Sequence, residues 1–549
     1  MPAPEGPRQR ILQRAGRSQR NPPPQSAPKE TLLEVNNQPT EPIEEFPPAG
    51  ITMSALLKSS AQRYGATPFL IDREGRTLSR AELDRQASQF ANAVLALGLP
   101  PGSAAGIYSP NSFHFVTACF GIFRSGYTMT PFNSSYRRRE LLHQIRDSNA
   151  SAVFVDPRLL TTIQECVGET PGLRIIELDP EFWTSADSSD PEVEVDAGKH
   201  VAFLPYSSGT TGLSKGVELS NANLIAGIRQ LLLGSVAGID SEARTYCFLP
   251  LYHIYGFNVI MNTTLASGSC LHFRERFDIK DCLDTVEREK ITWLPVVPPI
   301  ILALLARPDL KERQLQSLNV ISVGAAPVAV STAHRLAEAT GVPVRQGYGL
   351  TETAGTATTN PADSPWDTVE TAGTPVAGME FKIVDPETGR QLAGSETGEL
   401  AMRGPNVMLG YHNAPEENEK VLRDGWFHTG DIATIDELGR VHIVDRRREM
   451  IKYKGFQVTP AELESVMLEM VEIRDCAVVG KKDPVAVEIP KAFVVKRDGV
   501  ALTKQQVIDY VAEQVAGYKK IRELEFVESI PRSPAGKILR RKLLERSSS

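Results

Sequence analysis

Tyr206-Ser-Ser-Gly-Thr-Thr-Gly-Leu-Ser-Lys-Gly-Val217 packs five small hydroxyl side chains, three glycines and one lysine into a dozen residues. Glycine lets a backbone turn tightly and approach an anion closely. Successive N–H groups in such a loop form a nest for phosphate oxygens. Ser207, Ser208, Thr210, Thr211 and Ser214 add hydroxyl donors around Gly209 and Gly212, and Lys215 adds a positive charge. The apolar run Val201–Leu204 before it predicts a strand, and Asn221–Leu233 after it predicts a helix. The string is not a Walker A loop, which needs Gly before the lysine and Ser or Thr after it. Taken alone, such a segment reads equally as a mobile surface loop, so the decision passes to the rest of the chain.

The chain has 549 residues, enough for three to four core units at about 150 residues each. Hydrophobic residues make up 41% and charged residues 23%, a globular balance. A net charge of −7 gives no general attraction to nucleic acid. The six cysteines, 119, 166, 247, 270, 282 and 476, show no ligand spacing. They read as reduced thiols in the core of an intracellular protein rather than as a zinc site. The most apolar stretch, 291–306, is too short to span a bilayer and is broken by prolines. It predicts a strand over 291–294 and a helix from about Pro299. No integral membrane segment is expected.

Residues 1–45 are rich in arginine and proline and poor in apolar side chains, so they are expected to be a disordered extension. An organellar transit peptide is the weaker alternative, since Ile11 and Leu12 alone could form an apolar face. The final Arg546-Ser-Ser-Ser is not a peroxisomal Ser-Lys-Leu signal, and a cytoplasmic location is expected. From about residue 50 strands and helices alternate, which implies parallel sheets covered by helices. Ser79 followed by Glu82 predicts a capped helix running to Ala96. From Glu380 the pattern becomes short and turn-rich, as in a small β-barrel. After Asp445 comes a compact α+β module.

Four further strings carry chemistry. In Gln346-Gly-Tyr-Gly-Leu-Thr-Glu-Thr353, Tyr348 can stack on a purine, Thr351 can bond a phosphate and Glu352 can hold Mg²⁺. In Trp426-Phe-His-Thr-Gly-Asp431 the carboxylate suits ribose hydroxyls. The run Val444–Gln457 offers Arg446 as a fixed fork of donors. Pro531-Arg-Ser-Pro-Ala-Gly-Lys-Ile-Leu539 places Lys537 on a glycine-containing loop able to swing into a cleft.

These five strings, in this order, resemble the core motifs of the acyl-adenylate-forming (AMP-binding) superfamily. Leu249-Pro-Leu-Tyr-His-Ile-Tyr255, Val323-Gly-Ala-Ala-Pro327 and Ile451–Val458 are most similar to its branch of coumarate–CoA ligases, acyl-CoA synthetases and luciferases. The resemblance covers residue 50 onward. It implies an N-terminal domain over 46–445, built of two parallel-sheet αβ subdomains and a β-barrel-like subdomain. A mobile C-terminal α+β domain over 446–549 follows.

The implied activity joins a carboxylic acid to ATP as an acyl-adenylate and then to coenzyme A. A stand-alone enzyme that loads an acyl-carrier protein is the alternative. By motif match, residues 207–215, with Gln346, Gly347, Tyr348 and Thr351, would bind the nucleotide, with Mg²⁺ at Glu352. Ala325 would border the adenine, and Asp431 and Arg446 would hold the ribose. Lys537 would serve adenylation, Lys452 thioester formation, and His253 would be the gate between the acyl pocket and the thiol channel. Lys454, Gly455 and Gln457 would meet coenzyme A. Tyr255, Val259 and Gly324 would line the acyl pocket, and Arg448 would be the hinge. Where many aromatic-acid ligases read Ala-Gly-Pro after the Thr-Glu pair, this chain has Thr353-Ala-Gly-Thr356, so coumarate is not assumed.

Overall fold

The computed structural model describes residues 47–207, 214–234, 239–361, 364, 368–446, 449–454, 456–483, 485–533 and 536–547. The expected disordered extension, the loop residues Ser208, Gly209, Thr210, Thr211 and Gly212, Gly455 and the hinge residue Arg448 lie outside the described residues.

Two large sheets dominate, as strand–helix alternation demands. In one, the strand order is Val344–Gln346, Val320–Val323, Trp293–Val296, Arg244–Cys247, Cys270–Phe273, Pro68–Ile71 and Thr77–Ser79. In the other, Arg174–Glu177, Ala150–Val155, Ala104–Tyr108, Thr128–Phe132 and Val201–Phe203 run parallel, and Lys215–Ser220 then pairs antiparallel with the last. Ala104–Tyr108 is buried at every position, the signature of a strand covered on both faces. The helix Arg80–Ala96 starts where its cap residue stands: Ser79 accepts the Glu82 N–H at 3.2 Å.

Two expectations need correction. A strand, Lys215–Ser220, stands between the glycine-rich loop and the helix Asn221–Leu233, so Lys215 opens a strand rather than sitting in the loop. Lys215 and Gly216 pair antiparallel with Ser207 and Tyr206, and Val217 and Leu219 beyond them are buried. The strand expected at 291–294 is Trp293–Val296, where the parallel pairing with Val320–Val323 runs.

The turn-rich stretch forms a curled antiparallel sheet of Glu380–Val384, Gly398–Arg403, Leu422–Arg423, Trp426–Ile435 and Val441–Arg446. Beyond it, Ile473–Asp483 and Val487–Lys496 make a long hairpin that neighbours Ile451–Tyr453 and Glu523–Phe526. Alternate residues of that hairpin serve two cores. Val478 and Val494 pack with Leu463, Met467 and Val507, while Val479 and Val495 pack with Ile530 and Leu543. The larger region has its own core.

Candidate active site

The C-terminal edge of the Val320–Val323 sheet, the curled sheet and the loop bearing Lys537 surround one cavity of about 800 Å³. Open parallel sheets receive ligands at the carboxyl ends of their strands. The cavity is lined by Ser207, Lys215, His253, Tyr255, Val259, Gly324, Ala325, Gln346, Gly347, Tyr348, Thr351, Glu352, Arg446 and Lys537, all expected from the sequence.

Asp431 and Arg446 face each other across two antiparallel strands. The Arg446 Nε lies 3.1 Å from Asp431 Oδ1, and the Tyr348 hydroxyl donates to Asp431 Oδ2 at 2.6 Å. Asp431 is only 2% exposed, so this pairing meets the cost of a buried carboxylate. The Asp431 carboxylate raises the Arg446 pKa, while burial pushes the Tyr348 phenol far up, with Asp431 second.

Two partners escaped sequence reading. Tyr411 donates to Glu352 Oε1 at 2.8 Å, and Glu417 Oε1 lies 2.6 Å from Lys215 Nζ. Lys215 also stands 5.1 Å from the centre of the Tyr411 ring. Tyr411 reaches the site because the two-residue strand Gly410–Tyr411 pairs with Lys215–Ser220. A strand that short leaves no periodic signal.

Lys537 enters from the last module. Gly536 precedes it at φ +80°, a conformation that favours glycine. A Cβ there would lie 3.0 Å from Val297 Cβ, so the loop packs closely on the start of the helix Pro298–Leu305. Ser533 and Lys537 close the loop through backbone and hydroxyl bonds of 2.8 and 3.1 Å. Burial lowers the Lys537 pKa to about 8, helped by Arg446 and opposed by Glu449, Asp431 and Glu352. Burial, then Lys537, pushes His253 down to about 4, so it is neutral near pH 7. His253 precedes the π-helical run Tyr255–Asn262. Arg540 anchors the module near this loop through Glu449, at 2.8 Å, and Glu464.

Lys452, assigned to thioester formation, and Lys454, assigned to coenzyme A, do not line the cavity. Lys452 and Lys454 are exposed on the hairpin of Ile451–Tyr453 and Phe456–Val458, where Gln457 pairs with Lys452. Trp293, Val320 and Ser322 line the inner end of the cavity and were not expected there.

Residues 57–412 match the family described as AMP-binding enzyme, and residues 462–537 match its C-terminal domain. The peroxisomal OPC-8:0-CoA ligase 1 of Arabidopsis thaliana is 36% identical over 92% of this chain and 95% of its own. The 4-coumarate–CoA ligase 2 of Nicotiana tabacum is 36% identical over 90% and 94%. ATP-bound MatB of Rhodopseudomonas palustris superposes with a TM-score of 0.84 at 29% identity, over 91% of this chain and 99% of MatB, against 0.73 for its apo form. The chain belongs to the AMP-binding, acyl-adenylate-forming enzyme family. It is an AMP-forming acid–CoA ligase that works through an acyl-adenylate.

Proposed function

We infer that this single cavity activates the acid and that its residues divide the work as follows. The glycine-rich loop and Lys215 take the β and γ phosphates of ATP, with Thr351 beside them. Ala325, Gln346, Gly347 and Tyr348 border the adenine, and Asp431 with Arg446 takes the ribose. The carrying observation is that Lys537, from the last module, lines the same cavity as Tyr348, Arg446, His253 and Gly324.

Lys537 lines the cavity, and its ammonium group would neutralise both an entering carboxylate and the α-phosphate. A carboxylate oxygen attacks the α-phosphorus, its bond to pyrophosphate breaks, and the acyl group remains attached to AMP. Lys537 contributes charge neutralisation and alignment, the two terms that matter most in phosphoryl chemistry. Glu352 fits a Mg²⁺ site. It is 9% exposed and lines the cavity, and Tyr411 bonds only one of its two hard oxygens. Mg²⁺ commonly takes one or two protein carboxylates together with substrate phosphates, and its charge would offset that of the departing pyrophosphate.

The second half-reaction requires a different arrangement. The domains divide near Arg446, into 46–445 and 446–549, and the separate core of the last module supports its turning as a unit about Arg448. Lys537 then leaves, and Lys452, Lys454, Gly455 and Gln457 approach with coenzyme A. The thiol sulfur bonds to the acyl carbon, AMP departs, and neutral His253 borders the path. The acid pocket lies between Tyr255, Val259 and Gly324. Two of the relatives are named as ligases of OPC-8:0 and of 4-coumarate, and this chain is read as taking an acid of that kind.

Incubating the purified protein with ATP, Mg²⁺ and a panel of acids tests this reading. AMP and pyrophosphate should form with a suitable acid, and thioester should appear only once coenzyme A is added. Formation of ADP, or thioester on a carrier protein but never on coenzyme A, would contradict it.

A further inference from the structure

We propose that Glu488 is a positioning residue for thioester formation: its carboxylate fixes the backbone of Lys452 and so aims the hairpin that bears Lys452 and Lys454. This deepens, and rests on, the reading of that hairpin as the element that serves the second half-reaction.

The hairpin of Ile451–Tyr453 and Phe456–Val458 is tied to the last module at a few points. Ile451 is fully buried in the module's core, so strand alternation turns Lys452 outward, where it is exposed. The hairpin meets the strand Val487–Lys496 at the pair Tyr453 and Val487. On one side of that pair Lys454 donates its N–H to the Ala486 carbonyl at 2.9 Å. On the other side a regular antiparallel ladder would give the Lys452 N–H to the Glu488 carbonyl. The Glu488 carboxylate takes it instead, with Oε2 accepting at 2.8 Å. The direction of the hairpin at Lys452 is therefore set by a side chain rather than by sheet geometry.

The neighbours of Glu488 hold that carboxylate in place. Gly480 leaves room for it: a Cβ there would lie 3.0 Å from Oε2 and 3.4 Å from Ile451 Cγ1. Val487, directly before Glu488, stands at φ +72°. A β-branched residue takes that conformation only where its surroundings hold it. Asp483 supplies part of the hold, since its Oδ1 accepts the N–H groups of Val485 and Ala486 at 2.9 and 2.7 Å. Among the described residues, no lysine or arginine pairs with Glu488, so its carboxylate serves the Lys452 amide.

At an exposed amide water can replace a lost acceptor, so this bond adds direction more than stability. Its charged acceptor makes it stronger than a bond between neutral groups. Direction is what a catalytic hairpin needs, because a displacement of about 1 Å can slow a reaction by about a hundredfold.

The test compares Glu488→Ala and Glu488→Gln with the wild type, each also in a Lys452→Ala background. Thioester formation is followed from the isolated acyl-adenylate of the panel acid that releases pyrophosphate fastest, with coenzyme A added. Glu488→Ala should lower the kcat of that step by about tenfold or more, on the scale of a displaced positioning group. Glu488→Gln keeps an acceptor oxygen and should hold the rate to within about threefold of the wild type. Adenylation, with its KM for ATP and for the acid, should be unchanged in both variants, which also shows that they fold. In the Lys452→Ala background, Glu488→Ala should cost less than about twofold more, because the two residues act as one unit. Amide exchange gives a readout independent of the chemistry: the Lys452 N–H should exchange faster in Glu488→Ala and not in Glu488→Gln. Unchanged exchange at Lys452, a matching loss of adenylation, or an undiminished loss in the Lys452→Ala background would overturn the proposal. If Lys452→Ala itself leaves thioester formation intact, the reading of the hairpin falls, and the proposal with it. If Lys452→Ala slows that step and Glu488→Ala does not, the proposal alone falls.

Discussion

The proposed nucleotide end of the cavity and its proposed acyl end are built by different means. Charged side chains reach the nucleotide end from distant segments, and each meets an opposite charge or a phenol there: Asp431 with Arg446 and Tyr348, Glu352 with Tyr411, Lys215 with Glu417. The proposed acyl end is one face of a strand, closed by an indole and an aromatic ring, with the Trp293 Nε1–H donating to Ser322 Oγ. A triphosphate is the same in every such reaction, so its end can be rigid and charged. The acid varies, so its end is set by shape and by a few hydrogen bonds. Lys537 belongs to neither end and joins them.

That contrast breaks most visibly at the joining residue. Lys537→Ala should lower acyl-adenylate formation by about a thousandfold, on the scale of losing a donor aimed at developing charge. Thioester formation from supplied acyl-adenylate should be largely spared. Quenched-flow assay of each half-reaction checks this, and equal loss in both would erase the division.

At the acyl end, Gly324→Ala should press on Tyr255, because the new methyl carbon would lie 2.9 Å from the ring. Overpacking of this kind costs about 1–3 kcal/mol. The KM for the acid should rise by roughly tenfold to a hundredfold while the KM for ATP stays constant. A matching rise for ATP would show that the two ends are not separate.

A pH profile sharpens the joining role. Lys537 is the charged species below its pKa of about 8 and neutral above it. In the free enzyme, kcat/KM for ATP should therefore fall as pH rises through about 8, by about tenfold per unit beyond it. Bound phosphate favours the ammonium form, so kcat should hold to higher pH. Lys537→Arg should remove the decline, because guanidinium stays charged.

The smallest effect is at the counter-ion of Lys215. In the proposed reading Glu417 yields that lysine to an incoming phosphate. The pair is part-exposed, at 30% and 21%, so solvent screening holds its worth to about 1 kcal/mol or less. Glu417→Gln should lower the KM for ATP by roughly two- to fivefold without changing the KM for the acid. Steady-state kinetics at low ionic strength resolves a change of that size.

The two ends also differed in how far the sequence revealed them. Glycine, hydroxyl and charge patterns located Gln346–Thr353, Asp431, Arg446 and Lys537, because their chemistry is written in consecutive residues. The strand Val201–Phe203 was visible as a short apolar run. Lys215–Ser220 was hidden behind a loop composition, although Val217 and Leu219 alternate with polar neighbours. Tyr411 and Glu417 were missed because their partners lie about 59 and 202 residues away, a separation that local patterns do not encode. Trp293 and Ser322 read as ordinary strand residues until the parallel register set their strands side by side.

The central claim is that acid and nucleotide meet in one cavity, where the carboxylate attacks the α-phosphorus. Following a heavy-oxygen label from both carboxylate oxygens of the acid through one complete turnover tests it most directly. The account predicts that one labelled oxygen appears in AMP and the other stays in the thioester. Label in pyrophosphate, or AMP free of label, would contradict it.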